Sequence, residues 1–162
     1  MGLLRLIRQS LYTGATSRHH THSLIEAQVN LMSFRQTDQM SNSDFLHQLK
    51  AQVDIVEHLG GEVGVDLRRV HTFLDDPDNA SEDELEEARA AARQEYLACL
   101  LILKSDPGRY GALVADLVND FTRGHASYPK TLPKAYDMLV NFRPPPSAPT
   151  RRTHDDRSGL AF

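Results

Sequence analysis

The segment 96-YLACLLIL-103 decides the fold that we expect for this chain. It contains no charged residue, so its side chains are apolar on every side of a helix. We therefore expect this segment in the middle of the body, covered on several sides. Cys99, the one cysteine of the chain, is predicted to be a small buried hydrophobic residue rather than a reactive thiol.

The residues before this segment predict how its helix begins. In 75-DDPDNASEDELEE-87, Ser81 and Glu84 have the spacing of a capping box, and the neighbouring carboxylates favour the positive end of a helix. The same residues can be aligned with a calcium-binding loop that starts at Asp76. Ala80 and Ser81 then occupy positions 5 and 6, where that loop needs an oxygen ligand and a glycine. A capped helix start therefore explains the acidic residues without a metal.

Apolar residues recur every three or four positions in several other segments, and no segment has the alternation typical of a strand. These further predicted helices cover residues 3–12, 23–34, 43–59 and 107–123. Ser41 or Ser43 is expected to cap the helix over 43–59, which ends at Gly60 and Gly61. The segment 60-GGEVGVDLRR-69 is predicted to be a loop or a poorly formed turn.

The segment 128-YPKTLPKAYDMLVNF-142 predicts a compact last helix. Thr131 is the expected N-cap, and Pro133 is tolerated because backbone N–H groups of a first turn have no partner within the helix. The segment 143-RPPPSAPTRR-152 favours an extended chain. The sequence thus predicts an all-α protein, a five- to six-helix bundle over residues 1–142 followed by a disordered, proline-rich basic tail over residues 143–162.

Composition and charge exclude several classes of protein. The chain has 162 residues and a formal net charge of −4, which argues against tight sequence-independent binding of nucleic acid over the whole surface. No apolar run approaches the roughly 20 residues that span a bilayer, and Leu6 stands where an N-myristoylation signal needs Ser or Thr. We therefore expect a cytoplasmic chain, with the nucleus as the alternative, and no membrane partner.

Few residues suggest chemistry. The histidines of 19-HHTH-22 have no acidic or thiol partner at a suitable spacing, and their neighbourhood, including Thr21, is predicted to be a loop. His47 and His58 lie among polar helix positions and are expected at the surface.

No nucleotide-binding, metalloprotease or hydrolase motif occurs. We predict no catalytic residue, metal, cofactor or small-molecule substrate, and an enzyme with scattered catalytic residues is the least favoured hypothesis. Weak contact with nucleic acid is predicted for Arg143, Arg151, Arg152 and Arg157.

Four segments point together to one family: 24-LIEAQVNLMSFRQ-36, 40-MSNSDFLHQLKAQVDIVEHLGG-61, 109-RYGALVADLVNDFTRGHASYPKTLPKAYDMLVNFR-143 and 159-GLAF-162. In this order they resemble the Gag-like protein of copia-type LTR retrotransposons, over most of residues 2–143. The most specific parts are 57-EHLGG-61 and 119-NDFTRGHASYPKTLPKAYDMLVN-141. The resemblance implies a helical bundle of retrotransposon capsid type that self-associates into a particle enclosing the element's RNA.

The chain departs from the family's pattern at both ends. The family usually continues past 159-GLAF-162 into a CCHC zinc knuckle that contacts RNA, and has further sequence before LLRLIRQ. We therefore expect the later part of a capsid region without the knuckle, with a homo-oligomer as the main partner and only weak binding of element RNA. The candidate self-association residues are Tyr128, Tyr136 and Met138, unless they belong to the core. The alternative function is a helical adaptor that binds a protein through a helix face or through its proline-rich tail.

Overall fold

The computed structural model describes residues 19–143, and within this range the chain has helices and no strand. The helices are α1 (His20–Ser33), α2 (Asn42–His58), α3 (Leu67–His71), α4 (Glu82–Lys104), α5 (Pro107–Thr122) and α6 (Leu132–Asn141). This confirms the all-helical prediction. The helix predicted over residues 3–12 and the tail from residue 144 onward lie outside the described residues.

The apolar half of α4 lies at the centre of the body, as the sequence predicts. Ala98, Leu101 and Ile102 are completely buried, and α4 packs against both α6 and α3. Tyr96 and Cys99 are half-buried, and Leu103, in the last turn, is 51% exposed. The predicted capping box is present: the hydroxyl of Ser81 accepts from the backbone N–H of Glu84, and the Glu84 carboxylate accepts from the backbone N–H of Ser81.

Helix α2 supplies the second main part of the core. Phe45, Leu49, Val53 and Val56 are buried along one face, which packs against α1 and, at fewer points, against α6. Of the two serines that the sequence offers as a cap, Ser41 is the cap, since its Oγ accepts from the backbone N–H of Asp44 at 3.0 Å. The helix ends as predicted at Gly60, whose φ of 79° disfavours residues with a side chain.

The short helix α3 corrects the prediction that residues 60–69 form only a loop or a poor turn. Asp66 begins it by accepting a hydrogen bond from the backbone N–H of Arg68 at 2.9 Å. Val70 packs with Ala88 and Ala92 of α4 in a small second core. Five residues are too few to show a helical period in the sequence, so this helix depends on its contact with α4.

Three other details also differ from the sequence predictions. Cys99 is half-buried rather than fully buried. Thr131 occupies the N-cap position of α6, but its side chain makes no capping hydrogen bond. Helix α1 begins at His20, so Thr21 is helical and not part of a loop. Short sequence patterns locate helix ends only to within a few residues.

The junction between α4 and α5 is a sharp, capped turn. Asp106 is extended, as expected for a residue before proline, and its Oδ1 accepts from the backbone N–H of Gly108 at 3.1 Å. Burial acts to raise the pKa of Asp106, but hydrogen bonds from Gly108 and from the Arg109 guanidinium outweigh it and hold the pKa below its ordinary value. The carboxylate therefore stays ionised where it caps α5.

Gln36, in the connection between α1 and α2, is buried and joins distant parts of the chain. Its Nε2 donates to the carbonyl of Met40 (3.2 Å) and to Oδ1 of Asn42 (2.9 Å), and its Oε1 accepts from the backbone N–H of Asp106 (3.1 Å). Its own backbone N–H donates to the carbonyl of Lys104 (2.9 Å). This arrangement, the Gln36 latch, holds the α1–α2 connection against the α4–α5 junction.

Two residues at the start of α5 complete the Gln36 latch. The Nε of Arg109 donates to Oδ2 of Asp106 (3.0 Å), and its Nη2 donates to the carbonyl of Met40 (2.8 Å). The hydroxyl of Tyr110 donates to Oδ1 of Asn42 (2.9 Å). In the described part of the chain no buried side-chain nitrogen or oxygen lacks a hydrogen-bond partner. The latch therefore holds these two connections together without an unsatisfied polar group.

Candidate interaction surfaces

Within residues 19–143 the histidines and carboxylates do not converge on a metal site. His19, His20 and His22 are exposed at the start of α1, and His47 and His58 are exposed on α2. Among residues 19–143 no group of three or more His, Cys, Asp or Glu side chains is arranged to hold a metal ion.

The acidic segment forms a turn followed by a capped helix. Asp76 accepts hydrogen bonds from the Asn79 side chain (2.9 Å) and from the backbone N–H of Asp78 (3.3 Å). The bond from Asn79 is the main cause that lowers the pKa of Asp76, and bonds from Ser81 lower the pKa of Glu84. These carboxylates are thus satisfied by neighbouring groups of the chain, as the capped-helix explanation requires.

The three candidate self-association residues lie at the edge of the core. Tyr128, Tyr136 and Met138 are half-buried and pack against the main hydrophobic cluster. Each therefore contributes to packing and still presents part of its surface outward. Tyr136 also lines a groove.

That groove, groove A, lies between α2, α4 and α6 and has a volume of about 510 Å³. Its apolar wall includes Leu46, Leu97 and Tyr136, and charged side chains stand around it. Arg93 of α4 bridges to Glu57 of α2 through two hydrogen bonds, from Nε to Oε1 (2.8 Å) and from Nη2 to Oε2 (2.9 Å). This two-point pair fixes α4 against α2 beside the groove.

A second groove, groove B, has a volume of about 710 Å³ and lies between α1, the α2–α3 connection and α4. Met32 of α1 stands on one side, and Tyr96 and Cys99 of α4 stand on the other. Gly64 lies against the Tyr96 ring, where a Cβ would come within 2.7 Å of the tyrosine side chain. The wall of groove B therefore needs glycine at this position.

The edge of groove B is mainly acidic. Glu62, Asp66 and Glu95 line it together with one guanidinium, that of Arg69, which forms an ion pair with Glu95. Burial is the main cause that raises the pKa of the Cys99 thiol, and the negative charge of Glu95 adds to the effect. The thiol is thus mostly protonated at neutral pH and has a weakly nucleophilic character.

Helix α1 is apolar on two sides. Ala27 and Leu31 are buried toward α2, whereas Ile25, Val29 and Met32 are 54%, 56% and 47% exposed. At about 100° per residue, the centre of the exposed set lies about 150° around the helix from the centre of the buried set. We call Ile25, Val29 and Met32 the α1 stripe. The α1 stripe meets groove B at Met32.

Helix α5 carries a second exposed apolar surface. Tyr110, Leu113 and Leu117 are buried, but Val118 is 48% and Phe121 is 70% exposed. We call Val118 and Phe121 the α5 patch. A large apolar side chain left mostly in water is typical of interaction surfaces when it has apolar neighbours.

Comparison with known proteins finds no matching family model, no matching curated protein and no matching solved structure. Among the helices within residues 19–143, none combines the length and the apolar character needed to cross a membrane. Of the basic residues predicted to touch nucleic acid, Arg143 is exposed at the last described position. Arg151, Arg152 and Arg157 lie outside the described residues.

The α1 stripe, the α5 patch and the Gln36 latch were not singled out by the sequence. A signal for the two surfaces does exist, because the apolar arc of α5 spans about 140°, wider than the face of about 100° that a typical surface helix buries. On α1 the apolar residues fall into two separate arcs. Gln36 gives no such signal, since its partners are far away in sequence.

Proposed function

We propose that this chain is a non-catalytic structural module of the copia-type Gag or capsid kind, which self-associates through helix faces to form or join a ribonucleoprotein particle. The resemblance in sequence suggests the family. The observation that carries the proposal is the α5 patch, where Phe121 is 70% exposed in the last turns of a helix whose Tyr110, Leu113 and Leu117 are buried in the body.

The α5 patch fits a weak, repeated contact better than a permanent dimer. A stable interface covers about 800 Å² per partner, which two side chains cannot supply alone. Lattice-forming modules need contacts of this modest strength, because many of them act together once a particle has grown. The half-buried residues Tyr128, Tyr136 and Met138 are proposed as further contact residues.

Charge gives the proposed association a recognisable salt dependence. The whole chain has a formal net charge of −4, so copies repel one another at low ionic strength. Added salt screens this repulsion, with a Debye length of about 10 Å at 0.1 M. Association through the apolar α5 patch is therefore expected to strengthen with salt, in contrast to RNA binding through Arg143 and the arginines of the tail, which weakens. The module is proposed to act in the cytoplasm.

The deciding test is light scattering coupled to size exclusion over a range of protein and salt concentrations. The wild-type chain is expected to grow from monomer to dimer or larger species. Phe121→Glu should shift this growth to at least tenfold higher concentration. Ala112→Glu is the matched control, since Ala112 is exposed on the opposite side of α5 and receives the same charge.

A wild-type monomer at every concentration would contradict the proposed function and favour the adaptor hypothesis. Equal effects of Phe121→Glu and Ala112→Glu would show that added charge, rather than the α5 patch, controls association.

A further inference from the structure

The α1 stripe is an apolar surface without a partner among the described residues. Its three side chains are each about half exposed, although α1 already buries its opposite side against α2. The stripe continues at Met32 into groove B, whose floor includes the buried residues Leu31, Val56 and Val63. Stripe and groove together form one continuous surface that a short amphipathic segment fits better than a small molecule.

The chain itself supplies such a segment. If residues 3–12 are placed 100° apart, as in an α-helix, then Leu3, Leu4, Ile7 and Leu11 share one side of that helix. Gln9 falls on the opposite side. From the pattern alone, this segment has one apolar face and needs a surface to cover it.

The connection has the length of a helical hairpin. Residues 13–19 would join the segment to α1, which begins at His20, and helix-to-helix connections typically have about 2–8 residues. In an antiparallel hairpin Ile7 would then face Ile25, and Leu3 and Leu4 would lie near Val29. A ten-residue helix is about 15 Å long, and Ile25 to Met32 spans about 10 Å along α1. The lengths therefore match.

Charge is complementary as well. Residues 1–18 contain Arg5, Arg8 and Arg18 and no acidic residue. Arg5 and Arg8 fall on the same flank of the apolar face, and the edge of groove B holds three carboxylates against the single guanidinium of Arg69. A basic segment therefore suits this surface better than a second copy of the acidic body would.

We propose that residues 3–12 dock as an amphipathic helix on the α1 stripe, antiparallel to α1, with Leu3 and Leu4 at the mouth of groove B. This inference does not depend on the proposed function. Its consequence is that the chain covers its own α1 stripe and leaves the α5 patch as the surface open to partners.

Cys99 provides a built-in probe of the docking. It is the single cysteine of the chain, is half-buried and lines groove B. The test is the rate at which N-ethylmaleimide modifies Cys99 in the full chain, followed by mass spectrometry. Ile7→Asp should increase this rate about tenfold, which corresponds to a docked fraction of about 90% in the wild type. Gln9→Asp, which adds the same charge on the polar side, should leave the rate unchanged.

Substitutions on α1 test the same docking contact in the same assay. Val29→Asp should raise the rate as Ile7→Asp does, while Asn30→Asp, at the neighbouring exposed position of α1, should not. The double variant Ile7→Asp/Val29→Asp should react no faster than either single variant, because the segment is already released. A rate well below that of the urea-unfolded chain in each variant verifies that the body is still folded.

Two results would overturn the proposal. Equal modification rates in the wild type, Ile7→Asp and Val29→Asp would show that nothing covers groove B. A change from dimer to monomer in Ile7→Asp, measured by light scattering, would show that the segment binds a second copy instead of its own chain.

Discussion

Replacing Gln36 by leucine tests whether the Gln36 latch holds the body together. Leucine has a similar volume, so the change removes hydrogen bonds without opening a large cavity. The carbonyl of Met40 keeps the bond from Arg109, and Oδ1 of Asn42 keeps the bond from Tyr110. Only the backbone N–H of Asp106 loses its partner, since Gln36 Oε1 is the acceptor that the structure shows for it.

The expected loss of stability depends on whether each of the three hydrogen bonds leaves a buried group without a partner. Each of the two bonds donated by Gln36 contributes roughly 0.5–1 kcal/mol, whereas a buried donor left without an acceptor costs roughly 1–3 kcal/mol. Together these values give a loss of about 3 kcal/mol in the free energy of unfolding. With a urea m-value of about 1.5 kcal/mol/M for a chain of this size, the unfolding midpoint should fall by about 2 M.

The assay is equilibrium unfolding in urea, followed by circular dichroism. Gln39→Leu is the matched control, because Gln39 lies exposed in the same connection and surface changes of this kind usually alter stability by less than about 0.5 kcal/mol. A midpoint shift for Gln36→Leu no larger than that of Gln39→Leu would refute the assignment of a structural role to the latch.

Three further outcomes can be measured in the same unfolding assay. Ser81→Ala should lower the free energy of unfolding by about 1 kcal/mol, because it removes the capping box of α4. Thr131→Ala should lower it clearly less, because Thr131 makes no side-chain cap. Equal losses in the two variants would contradict this expectation. Tyr136→Ala should lower the free energy of unfolding by about 2 kcal/mol, less than the roughly 3–5 kcal/mol lost when a fully buried aromatic is truncated. If Tyr136 lies in the interface, the variant should also associate more weakly. An unchanged unfolding midpoint would exclude Tyr136 from the core. Because the pKa of Asp106 is lowered in the folded state, its contribution is present above the ordinary value of 3.8 and is lost as pH falls through the folded pKa. Asp106→Asn should therefore weaken the acid dependence of stability, and an unaltered profile would count against the cap.

The sequence predicts best those features that depend on neighbouring residues. The capping box at Ser81 and the end of α2 at Gly60 are set by residues within one turn, and both occur as predicted. Helix α3 was missed because its five residues are stabilised by packing on α4. The Gln36 latch was missed because Gln36 and Asp106 meet only after the chain has folded. Long-range polar contacts leave no periodic pattern that a single sequence can show.

The candidate surfaces were predicted less well than the helices. Periodicity indicates that a residue is apolar on a given side of a helix, but not whether a neighbouring helix covers that side. Val118 and Phe121 follow the same three- and four-residue spacing as the buried Leu117, yet they remain largely exposed. The same limit applies to Tyr136, which is half core and half groove wall. Such assignments need the packing partners, which one chain's sequence does not identify.

Releasing the segment over residues 3–12 should change self-association in a way that separates the α1 stripe from the α5 patch. If that segment covers the α1 stripe, Ile7→Asp exposes a second apolar surface beside the α5 patch, and association should increase rather than decrease. Adding Phe121→Glu to Ile7→Asp then separates the two surfaces, because association through the exposed α1 stripe should persist when the α5 patch carries a charge. If Phe121→Glu abolishes association in both backgrounds, association requires the α5 patch and releasing the segment does not replace it.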